Sequence, residues 1–162
     1  MTKTLLLNTG FGWCGTTPYY ETLIEEKYCE KYNCKEPHLL QRVFEGHTDI
    51  SEYISYHNSL PGERVTDFSN TNADLPEEFI DEIAPILLKN FDIKVTMIFR
   101  DPVRRLYSLC NHLYQTRTLR HRVHGTSIQY FRYKLKQPIA SYVRTYRMYR
   151  KWFPTYTIVM ED

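Results

Sequence analysis

The chain has 162 residues, 42% apolar and 25% charged, with four cysteines and a formal net charge of +2. A domain of this size buries roughly 70% of its unfolded surface, so no disulfide or metal staple is required. No run approaches the roughly 20 apolar residues of a membrane span, and one lysine before a short apolar run is not a secretory signal. An intracellular, cytoplasmic setting is therefore expected.

The first strand is expected at about 4–9, where Leu5-Leu6-Leu7 form a buried run. Gly10, Gly12 and Gly15 follow, then Thr16, Thr17 and Pro18. The Gly10–Gly15 spacing fits the phosphate loop G-x-x-x-x-G-K-[ST], with Thr16 where the lysine belongs. Thr17-Pro18 predicts a helix start, and Tyr20, Leu23, Ile24 and Tyr28 recur at helical spacing. Residues 37–44 read as a second strand, 48–58 as a short helix and 63–68 as a strand end. Pro76 opens a helix carrying Phe79, Ile83 and Leu87, with a kink expected at Pro85. Val95–Phe99 is the clearest buried strand. It runs into Arg100-Asp101-Pro102, an aspartate cap with proline at the first helical position. Residues 117–137 are basic and irregular, 138–152 predict an amphipathic helix, and Thr155–Met160 the last strand. Short apolar runs alternating with helices predict one α/β domain over 1–162. Its expected form is a three-layer sandwich around a parallel sheet of about four or five strands, like a P-loop NTPase.

Charge is spread unevenly along this pattern. Residues 1–99 carry 8 basic against 16 acidic side chains, and residues 100–151 carry 13 against 1. A basic half suits a polyanionic ligand: a nucleotide, a sulfated or phosphorylated substrate, or nucleic acid. It equally suits a solvated helical surface. Cys14, Cys29, Cys34 and Cys110 show no C-x-x-C pair, so reduced thiols are expected rather than zinc. Cys14 stands apart, because a thiol among loop amides can have a lowered pKa.

Two places carry chemistry. In the first, a strand, a glycine turn and a helix start point successive N–H groups inward. The helix dipole adds about half a positive charge, so an anion binds without a charged side chain. In the second, residues 98–109, Arg100 ends a buried strand, where open α/β sheets place ligands. Arg104 and Ser108 follow one and two helical turns on. Guanidinium and hydroxyl there suit a second phosphate.

With these two sites the sequence resembles the sulfotransferases that use 3′-phosphoadenosine 5′-phosphosulfate. The family loop P-K-S-G-T-T is matched by Gly12-Trp13-Cys14-Gly15-Thr16-Thr17, and R-D-P-x-x-R-x-x-S by the run from Arg100 to Ser108. "KEPHLL", Lys35 to Leu40, is similar to the K-E-x-H-F-F strand of the branch that includes heparan sulfate and bacterial sulfotransferases. Thr66 to Pro76 is similar to its E-K-[ST]-P-x-Y segment, and "YRKWFPTYTIVMED" to its closing helix, turn and strand. The resemblance implies that residues 12–17 hold the 5′-phosphosulfate and that Arg100 and Ser108 hold the 3′-phosphate, with PAP as product and no metal. It implies that Glu36 is the general base; Asp67 is the second candidate and His38 a weaker one, with His38 and Arg104 expected toward an unidentified acceptor such as a saccharide or another hydroxyl compound. Trp13 replaces the loop lysine, Phe68 the lysine of E-K-[ST]-P, and Asp67 its glutamate. The family's basic C-terminal segment over the nucleotide has no counterpart in these residues. An inactive nucleotide-binding relative, a P-loop kinase and a nucleic-acid-binding module stay open as alternatives. Oligomers are compatible with all of them, and a membrane partner is not expected.

Overall fold

The computed structural model describes residues 2–31, 34–115 and 142–160. Within them lie four strands: β1 (Lys3–Asn8), β2 (Arg64–Asp67), β3 (Phe91–Phe99) and β4 (Thr155–Val159). All pairings are parallel, in the order β2-β1-β3-β4. The register sets Leu5 against Val65 on one side and Ile93 on the other. Six α-helices are described: α1 (Thr16–Glu25), α2 (Leu39–Phe44), α3 (Ile50–Ser59), α4 (Glu77–Asn90), α5 (Pro102–Gln115) and α6 (Tyr142–Arg150).

Alternation along β1 builds both faces of the sheet. Leu5 and Leu7 join Tyr53, Ile80, Leu87 and Tyr149 in the larger core, under α3, α4 and α6. Leu6 points the other way and packs with Tyr20 of α1, Cys29 and Phe68. A third cluster, Phe11, Cys14, Ala73, Met97 and Ile98, caps the carboxyl ends of β1 and β3. The result is the expected α/β architecture, with helices on both faces of a central parallel sheet.

Several local expectations need correction. Residues 37–44 are not a strand: Leu39–Phe44 is helical, behind a left-handed turn at His38 with φ 53°. Leu39 and Leu40 are both buried in the larger core. Consecutive residues of a strand would face opposite ways, whereas a helix lets both turn inward. The α1 cap is Gly15, at φ 86°, not Thr17, so Pro18 is the third helical residue. β3 begins four residues before Val95. Its first half alternates buried Phe91 and Ile93 with exposed Asp92, and only its second half is a continuous apolar run. α4 continues past Pro85 with Ile80, Ile83, Ala84 and Leu87 inward. At the start of α5 the cap is as expected: the Arg104 N–H donates to Asp101 Oδ1 at 2.9 Å. The expectations for 117–137, for the first residues of 138–152 and for Glu161-Asp162 lie outside the described residues.

Candidate active site

The site forms where β1, β2 and β3 end side by side. Asn8 fixes the first turn of the loop. Its side chain accepts from the Gly10 N–H at 2.9 Å and donates to Thr96 Oγ1 on β3 at 3.0 Å. The loop then closes tightly, with Cys14 N–H donating to Phe11 O. Trp13 has φ 64° and Gly15 φ 86°. Left-handed geometry at two positions so close together curls the backbone back on itself. Glycine suits position 15 because of its positive φ, and a Cβ there would lie 2.7 Å from Met160 Cε, so the methionine end would have to shift.

Two arginines hold this curl from the β3 side. Arg100 Nη1 donates to Trp13 O at 3.3 Å and Arg105 Nε to Gly12 O at 3.0 Å. A trans peptide opposes its C=O and N–H, so pulling the Gly12 carbonyl toward α5 turns the Trp13 N–H the other way. The Arg105 guanidinium also lies over the Phe11 ring, 4.8 Å from its centroid. Tyr142 of α6 braces the same corner: its hydroxyl donates to Arg100 O at 3.0 Å and meets Cys14 Sγ at 3.5 Å.

Cys14 itself is buried and its pKa is raised. Burial is the main cause and outweighs the lowering effect of Tyr142, Arg105 and Arg100. The lowered thiol pKa allowed by its loop position does not occur, because the side chain points into the core rather than toward the amides.

Opposite the arginines stands a residue whose role the sequence did not reveal. Lys35 Nζ donates to Thr17 Oγ1 at 2.9 Å and Thr16 Oγ1 at 3.2 Å, and pairs with Glu36 Oε1 at 3.0 Å. Each threonine accepts from the ammonium and so keeps its own O–H to donate elsewhere. Glu36 continues the line, with Oε2 3.7 Å from His38 Nε2, while His38 Nδ1 meets Thr71 Oγ1 at 3.0 Å. The segment is docked on the end of β2 through Phe68 N–H to Lys35 O and His38 N–H to Ser69 Oγ. Loop, cation and carboxylate thus form one continuous set of polar contacts.

Not every candidate joins it. Asp67 is fully buried, accepting from Tyr53 Oη at 3.1 Å and from the Ser69 N–H at 2.9 Å. A base must meet its acceptor, and this carboxylate instead ties β2 to α3. Phe68, where the second family lysine would stand, is a core residue between Tyr19 and Tyr20. Arg104 is exposed on α5, whereas its neighbour Arg105 reaches the loop. Ser108 lies half-buried on α5 between buried Leu106 and Cys110. Trp13 is half-buried, its ring 5.9 Å from that of His112.

Comparison with solved structures meets this geometry at the level of the fold. A crystal structure of a sulfotransferase from Alicyclobacillus acidocaldarius superposes with a TM-score of 0.64 over 98% of this chain and 74% of the other, at 16% identity. The chain has a sulfotransferase fold. No protein-family profile and no curated protein matches the sequence. Among the described residues no helix is long and apolar enough to cross a membrane, and no group of three His, Cys, Asp or Glu could hold a metal ion.

Proposed function

We propose that the chain binds 3′-phosphoadenosine 5′-phosphosulfate and transfers its sulfuryl group to a hydroxyl or amine of an acceptor. The observation that carries this reading is the contact of Arg100 with the loop at Trp13 O. Two anion-binding elements, distant in sequence, thereby share one end of the sheet. A nucleotide with phosphates at both its 3′ and 5′ positions requires such a pair, and the fold is one found in a sulfotransferase.

The donor supplies an activated sulfuryl group, so the chain's own residues have three tasks. The N–H groups at the start of α1 and the Thr16 and Thr17 hydroxyls hold the 5′ end and offset charge there. Arg100 and Ser108 hold the 3′-phosphate, and His38, beside Glu36, faces the acceptor. Glu36, 28% exposed at its side chain, takes the proton from the acceptor hydroxyl as the new S–O bond forms and the S–O bond to the 5′-phosphate breaks. PAP leaves with that bond's electron pair.

Tight binding of 3′,5′-ADP with weak binding of ATP, read by calorimetry, is the expected result; the reverse preference sinks the proposal. Glu36→Gln should lower transfer of labelled sulfate about 10² to 10⁴-fold while leaving 3′,5′-ADP binding intact. A second reading, a relative that holds the nucleotide without transferring sulfate, draws support from Phe68, a core aromatic where the family has a lysine. Retained 3′,5′-ADP binding with no transfer to saccharide, phenol or amine acceptors would favour it.

A further inference from the structure

Resting on the donor-binding reading above, we infer that Lys35 supplies the positive charge that Trp13 has displaced from the loop. It does so from outside the loop, as the residue that contacts the 5′ end of the donor. The family motif P-K-S-G-T-T places this lysine two residues before the loop glycine, at the position of Trp13. Here that position holds an indole at φ 64°, set against His112, so it offers neither charge nor a terminal ammonium.

Among the described residues, a cation reaches the loop hydroxyls from the segment docked on β2. Its ammonium lies 2.9 and 3.2 Å from the oxygens of the first two helical residues. An anion gripped by those hydroxyls and by the α1 N-terminus lies within reach of the same ammonium. An ammonium has three donors and no acceptor; they are directed at Thr16, Thr17 and Glu36, and the longest of these bonds, to Thr16 Oγ1 at 3.2 Å, is the one exchanged for an oxygen of the anion. The side chain is only 18% exposed, so its charge is poorly screened by solvent. Arg100 Nη1 and Arg105 Nε bond the loop at the carbonyls of Trp13 and Gly12, whereas Lys35 bonds the hydroxyls of Thr16 and Thr17.

The pairing with Glu36 gives the relocated lysine a second consequence. A lysine in the loop would be independent of the base. Lys35 adjoins Glu36 in sequence and bonds to it in space, so one short segment sets both the charge at the donor and the carboxylate that meets the acceptor. Lys35 is a donor contact and at the same time a positioning residue for Glu36.

The test compares the wild-type chain with Lys35→Met and Lys35→Gln, using two probes: 3′,5′-ADP and adenosine 3′-monophosphate, which lacks the 5′ group. Both substitutions should weaken 3′,5′-ADP roughly 10- to 100-fold, the range of a charge-assisted contact, and leave adenosine 3′-monophosphate unchanged. Lys35→Gln keeps hydrogen bonding without charge, so it serves if Lys35→Met folds poorly. A merely structural lysine would affect both probes alike. Unchanged 3′,5′-ADP affinity in the variants, or equal weakening of both probes, overturns the assignment. Failure of the wild-type chain to bind 3′,5′-ADP overturns instead the donor-binding reading on which it rests.

Discussion

Gly15 shows how one residue carries both the fold and the site. It caps α1 in the left-handed region, and Met160 fills the space where its side chain would be. A left-handed conformation costs an L-residue about 1–2 kcal/mol, and Met160 must also move, though its thioether end is flexible. Gly15→Ala should therefore lower stability by about that amount, read as a lower urea midpoint with unchanged slope. Affinity for 3′,5′-ADP should fall with it, since the first turn of α1 is the site. An unaltered midpoint would mean that the loop relaxes into another conformation. Trp13 is the contrasting case: it carries a side chain at positive φ and bears that cost, with its ring set against His112.

Among the elements, α3 is held by a device that makes stability depend on pH. His57 is fully buried, with Nδ1 donating to Tyr53 O at 2.9 Å. Its Nε2 has no hydrogen-bond partner among the described residues. Tyr53, Tyr56 and Phe91 surround the ring. Burial lowers its pKa, against the opposing pull of the Asp67 charge and the Tyr53 carbonyl. The folded chain thus keeps His57 neutral where the unfolded chain, with a pKa of about 6.5, takes up a proton. Stability should be flat above that pH and fall as the pH drops below it. His57→Phe should flatten the lower limb of a plot of denaturation midpoint against pH between about 5 and 7. An unchanged limb would assign the dependence to other groups. The same neighbourhood encloses Asp67. Its carboxylate is bonded to Tyr53, one turn before His57.

Over the whole molecule, charge is separated by sequence and gathered by topology. The parallel order β2-β1-β3-β4 places the end of β3, where the basic half begins, next to the loop that follows β1. Arg100 and Arg105 thereby reach a segment about 90 residues earlier. Affinity for 3′,5′-ADP should accordingly weaken as salt rises, since a Debye length of about 10 Å at 0.1 M contracts to about 3 Å at 1 M. Titrations across that range check it; salt-independent binding would count against an electrostatic grip. Strongly salt-dependent DNA or RNA binding that survives Arg100→Ala would point to the nucleic-acid alternative instead.

Some of this was determined by sequence alone, because it depends on neighbours in the chain. The Leu5–Leu7 strand, the glycine turn, the aspartate cap of α5 and the apolar run ending at Phe99 all rest on local periodicity and local hydrogen bonding. The helix at 39–44 was misread as a strand because a short apolar run has no distinctive period. Tertiary structure alone decided which polar groups meet. Asp67 looked available in a polar stretch, yet strand pairing and α3 enclose it. Arg105 rather than Arg104 faces the loop, because a helix's rotation is set by what it packs on. Lys35 lies 18 residues beyond Thr17, and no spacing rule spans such a gap. Its place at the loop hydroxyls follows only when the segment it occupies docks on the end of β2, beside β1. The loop with no lysine of its own meets one from the segment docked at the neighbouring strand's end.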